Sequence, residues 1–142
     1  MPNVFVWNAL TIFTLAVGFP LSVPLVALAY KVQNGAPPIP LESSDFWRRS
    51  AGAGVGLSVL HIVEMVLGYL LTEVADMAPG LVWLVLVLFH LSVAVWFLNW
   101  VFFGLEEIVR AFELYLAFSI LFAIAVVPLI FVARALLFAP GA

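Results

Sequence analysis

Residues 47–104 read WRRSAGAGVGLSVLHIVEMVLGYLLTEVADMAPGLVWLVLVLFHLSVAVWFLNWVFFG, two long apolar runs joined by a short acidic turn. Each run is long enough to cross a bilayer, because about 20 helical residues at about 1.5 Å rise cover a hydrocarbon core of about 30 Å. Almost every polar side chain that would lie deep in a membrane sits on this hairpin: His61, Glu64, His90, Ser92 and Asn99. Ionisable groups at that depth are costly and are the first candidates for function. The stretch predicts a small all-α membrane protein organised around one helical hairpin.

Composition points the same way. The chain has 142 residues, 66% hydrophobic and 9% charged, against roughly 45–50% and 25% in soluble domains. Eight acids and five bases give a net charge of −3, too few bases for a nucleic-acid footprint. With no cysteine, disulfides, thiolate metal sites and Cys nucleophiles are excluded. The expected architecture is a single domain of four transmembrane helices in an up-down bundle, with spans near 3–30, 47–72, 80–104 and 111–138. A short interfacial segment is expected between the third and fourth.

Working outward, residues 3–30 form the first span. Their start lacks the basic region of a secretory signal, so Ala27-Leu28-Ala29 is read as part of a retained helix and not as a cleavage site. Pro20 and Pro24 predict bends in it. Residues 31–46 are the only sizeable loop, with a turn at Asn34-Gly35, extended backbone at Pro37, Pro38 and Pro40, and capping oxygens at Ser43, Ser44 and Asp45. In the second span Ser50, Gly54 and Ser58 are four apart, as are Gly52 and Gly56. Such a small-residue ridge lets another helix backbone, or a flat ring, approach closely. In the third span Trp83 and Trp100 suit the membrane–water interfaces. Trp96 and the phenylalanines are expected to face lipid or a partner. Glu106, Glu107, Arg110 and Glu113 form a second polar cluster, expected to stay helical along the interface. It is a solvated edge or a docking site for a soluble partner.

Lys31, Arg48, Arg49 and Arg110 fall at one end of this arrangement and only Arg134 at the other. The excess of bases predicts that the first end is cytoplasmic and that both termini are on the non-cytoplasmic side. Glu64 lies nine residues before Glu73 and His90 ten after Gly80, which puts both about 14–15 Å from the turn. His61 is one helical turn away, level with Ser92.

Three uses of these groups follow. A Glu64–His90 hydrogen bond can lock the hairpin, making the chain a structural or accessory subunit held among other membrane subunits. His61 and His90 can act as the two axial ligands of a b-type haem, with Glu64 or Ser92 fixing the imidazoles and the glycine ridge giving room for the macrocycle. Glu64 and the histidines can also handle protons, or bind quinone or lipid, without a metal. A dimetal site is rejected, since the Glu-x-x-His order is reversed here and occurs once. No hydrolase triad, P-loop or retinal lysine is present, so catalysis by the chain alone is not expected. In size and span count the chain broadly resembles the anchor subunits of respiratory dehydrogenases. The function expected is that of a non-catalytic anchor or accessory subunit in an energy-transducing, electron-transport complex.

Overall fold

The computed structural model describes residues 20–33 and 43–137. Four helical segments and no strand occur among them: α1 over residues 20–33, α2 Ser44–Tyr69, α3 Pro79–Phe103 and α4 Ile108–Leu137. Most of the expected first span and the proline-rich loop lie outside the described residues. Three helices are long and apolar enough to cross a membrane: α2 with the wide turn that ends it, α3, and α4.

Local chemistry sets each boundary. α2 begins at Ser44, ahead of the expected Trp47, because Ser43 Oγ accepts the Phe46 N–H at 3.1 Å. That bond satisfies one of the helix's free amides, and Asp45 adds negative charge at the positive end. At its far end Leu70–Val74 widens into a π turn, with the Ala75 N–H on Leu70 O at 3.0 Å. The span therefore continues past Thr72. Asp76 takes a left-handed φ of 49° to reverse the chain. Pro79 then opens α3, where a missing N–H leaves no bond unmade.

The expected interfacial helix over 105–113 is not formed. α3 stops at Phe103, with Gly104 at φ 59° and Leu105 at φ 71°, and both amides fold back onto Asn99 O. Asn99 Oδ1 also accepts the Glu107 N–H at 3.2 Å, so one buried side chain spans the turn. α4 starts at once, at Ile108, and runs unbroken through Pro128. Gly104, just before the polar cluster, supplies the left-handed residue that ends a helix. Residues 108–113 are simply the first turns of α4.

α3 lies between α2 and α4, and α1 ties all three together. Ser22 Oγ on α1 donates to Gly54 O of α2 at 3.3 Å. Tyr30 stacks on Phe102 of α3 with centroids 4.9 Å apart and also meets Phe46 of α2. Gln33 Nε2 donates to Arg110 O of α4 at 2.5 Å and to Glu113 Oε2 at 3.3 Å. At the same end Arg49 reaches Val101 O at 2.8 Å, satisfying a carbonyl at the close of α3. The core follows these contacts, with Val26, Leu57, Leu98, Leu114 and Phe118 buried among them.

Aromatic placement is divided. Trp83, Trp96 and Trp100 all project outward from α3. The phenylalanines depart from the lipid- or partner-facing role expected of them: Phe102 is buried, and Phe97 and Phe103 pack against the core. The small residues explain part of this. The Phe97 ring occupies the place a Cβ on Gly56 would take, and a Cβ on Gly54 would stand 2.7 Å from Val23 Cγ2 and 3.0 Å from the Val23 backbone nitrogen. Gly54 thus faces α1 and Gly56 faces α3, while Gly52 looks into open space. Ser58 turns back on its own helix, donating to Gly54 O at 2.9 Å.

A direct test follows. Gly54→Leu should destabilise the bundle by about 1–3 kcal/mol through forced overpacking, and Gly52→Leu should stay within about 0.5 kcal/mol of the parent. Unfolding in mixed micelles, followed by circular dichroism, reads both. Equal effects would refute the α1–α2 close approach.

Candidate functional site

The polar centre is built on one carboxylate. Glu64 projects from α2 toward α3, on the side of that helix that carries the buried Ala53, Leu57 and Leu60. Its side chain is 11% exposed. From α3, His90 Nδ1 reaches Glu64 Oε1 at 2.6 Å. From α2 itself, one turn before Glu64, His61 Nδ1 lies 3.4 Å from Glu64 Oε2. The structure therefore brings together all three ionisable residues placed mid-span by the sequence. Each carboxylate oxygen faces a separate imidazole.

With the carboxylate ionised, His90 Nδ1–H donates to it, while His61 Nδ1 stands within ion-pair range at 3.4 Å, and Nε2 of both rings is clear of that contact. The two histidines differ in setting. His90 is 31% exposed and its ring lies 5.6 Å from that of Tyr115 on α4. Glu64, His90 and Tyr115 thus join three helices in one row. His61 is 54% exposed and looks away from the bundle. Tyr115 gave no signal in the sequence, since one tyrosine in an apolar run looks like any other bulky residue.

The remaining sequence candidates are placed as follows. Ser92 faces outward on α3, away from the carboxylate. Asn99 is buried, and its role is the α3–α4 turn. Arg110 Nη1 donates to Glu107 Oε2 at 2.7 Å and the guanidinium lies 5.2 Å over Phe103, so both ends of this cation are held by the chain's own groups. Glu113 accepts from Gln33, and Glu106 is exposed at the turn. Of the four residues of this cluster, three already serve contacts within the fold.

A haem would need His61 Nε2 and His90 Nε2 to meet one iron. Their Nδ1 atoms rest on a carboxylate, the arrangement that fixes the orientation of an imidazole ligand. The room that the small residues of α2 were expected to give is filled by Ser22 and Val23 at Gly54 and by Phe97 at Gly56. Two imidazoles are present without that cradle. Among the described residues no group of three or more His, Asp or Glu side chains is placed to hold a metal ion.

Chemically, the arrangement is an acid bracketed by two bases in an apolar setting. It can hold two helices in register, and it can pass a proton from one imidazole to the other through the carboxylate. Comparison with known proteins gives no matching family model, no matching curated protein and no matching solved structure. What the chain itself defines is an all-helical protein with three helices able to cross a membrane and a polar centre between two of them.

The energetics predict an order of effects. Glu64→Gln keeps an acceptor for His90 and should be mild, whereas His90→Ala leaves Glu64 Oε1 unpaired at a cost of about 1–3 kcal/mol. Because His61 still faces Oε2, removing both imidazoles should cost more than the sum of the single changes. Unfolding free energies of the four variants in one detergent test this, and strict additivity would show that the two histidines act independently.

Proposed function

We propose that the chain is an integral membrane subunit of a larger, energy-transducing complex, acting as a structural or anchor subunit whose α2–α3 hairpin is locked by Glu64 and His90. The observation that carries this reading is the 2.6 Å contact between these two residues, His90 at the middle of α3 and Glu64 within the membrane-length stretch Ser44–Val74. A carboxylate in that position requires a partner from within the protein, since lipid offers none. Among the described residues, little lies outside the helices. Energy-transducing assemblies are where ionisable side chains at mid-membrane depth are put to use.

Orientation follows from charge. Lys31, Arg48, Arg49 and Arg110 belong to the end where Gln33 meets Arg110 and Arg49 meets Val101. The excess of bases supports a cytoplasmic position for that end, with the chain termini on the other side.

A second reading, a b-type haem on His61 and His90, is supported by one observation: both imidazoles present a free Nε2 while Nδ1 is held by Glu64. When bound, the haem would carry one electron; the residues of this chain would ligate it and orient the rings.

Three measurements test these proposals. Extraction in mild detergent should yield a particle containing further polypeptides in fixed stoichiometry; a homogeneous species of this 15.5 kDa chain alone would overturn the subunit reading. Cysteines introduced at Glu106 and at Ala75 should label from opposite sides of the membrane, Glu106 from the cytoplasm. A reduced-minus-oxidised absorption spectrum of the purified particle should lack a b-type signal that disappears in His61→Ala and His90→Ala; such a signal would replace the clamp with the haem reading.

A further inference from the structure

We propose that His61 is the lipid-side contact of a binding site for the headgroup of a membrane-soluble quinone or quinol, with Glu64 behind it. The proposal rests on the membrane placement argued above and names the ligand of the same polar centre. Three observations converge on it. His61 is the most exposed of the three groups, at 54% of its side chain, although it lies well inside the membrane-length stretch Ser44–Val74. Its flanking neighbours Ile62 and Met65 are exposed and apolar, as a lipid-facing surface requires. Its Nδ1 faces Glu64 Oε2, and Nε2 makes no hydrogen bond or ion pair among the described residues.

Depth and chemistry narrow the occupant. Phospholipid headgroups lie about 15 Å away at the interface of a core about 30 Å thick, and their acyl chains carry no hydrogen-bonding group. A quinone dissolves in the hydrocarbon and brings two ring oxygens to this level. The oxygens accept hydrogen bonds in the quinone and donate them in the quinol. An imidazole backed by a carboxylate answers both forms. As the imidazolium it donates from Nε2 to a carbonyl with its charge balanced by Glu64, and as the neutral ring with Nδ1–H on Glu64 it accepts at Nε2 from a hydroxyl. A fixed hydroxyl on a neighbouring helix would need only a neutral ring. The carboxylate therefore favours a ligand that itself changes between acceptor and donor.

The test uses the full chain in phospholipid nanodiscs with decylubiquinone as the probe, measured by equilibrium binding above the non-saturable partition into lipid. Wild type should show a saturable component. His61→Gln, which keeps a donor and an acceptor, should weaken it by up to about tenfold, the loss of one good hydrogen bond. His61→Leu should remove it, in a protein whose unchanged helical circular dichroism shows that it is still folded. The chain has only two histidines, so ¹⁵N-labelled imidazole spectra read the site directly, and His61 Nε2 should move on titration more than either nitrogen of His90. No saturable binding in wild type, or binding that persists in His61→Leu, overturns the proposal. So does a complex in which another polypeptide already holds His61 Nε2 and quinone leaves its resonance unmoved. The clamp is judged separately, by the stability order of Glu64→Gln and His90→Ala, and survives any of these failures.

Discussion

A carboxylate placed between apolar helices is the constraint to which the centre of this protein answers. Apolar side chains cannot solvate Glu64, which is 11% exposed, so the chain must supply its partners. It does so from two directions, with His90 on the facing helix and His61 on its own. The contact to His90 fixes the rotation of α2 relative to α3, since turning either helix by one residue would separate the pair. Once that rotation is set, Gly56 lies under Phe97 and Gly54 is presented to α1. Packing and polar pairing therefore specify the same arrangement.

The same rule governs the helix ends. Gln33, Arg49 and Asn99 each bind a backbone group belonging to a different helix or turn. Arg49 satisfies a carbonyl and Asn99 an amide that helix termini leave without an internal partner, and Gln33 adds a second donor to a carbonyl in the first turn of α4. These side chains are few because the chain is so apolar.

Much of this was legible in the sequence, and the limits have physical causes. Spans can be counted because hydrophobic length is a one-dimensional property, and the equal depth of Glu64 and His90 follows from counting back from one turn. Direction around a helix is not one-dimensional. A helix apolar on nearly all sides gives no periodic signal, so the inward turn of Phe97 and Phe102, the outward turn of Ser92 and the contact with Tyr115 could not be read. The error over 105–113 has another origin. The segment itself has no helix breaker, but Gly104 precedes it and Asn99, a full turn back, supplies the cap. The glycine ridge was visible as spacing, yet its division among α1, α3 and open space depends on which helices neighbour α2.

One contact also bears on how the chain is assembled during synthesis. Gln33 and Arg110 are 77 residues apart, and their hydrogen bond joins the first described helix to the last. At about 5–20 residues per second, about 4–15 seconds separate the emergence of the two partners from the ribosome. During that interval the Gln33 amide has no access to its final acceptor, whereas the short turns around Asp76 and Gly104 let α2, α3 and α4 pair with their sequence neighbours as they appear. The Ser22–Gly54 bond between α1 and α2 can close first, the Glu64–His90 bond follows once α3 is made, and the Gln33 contact that joins α1 to α4 comes last.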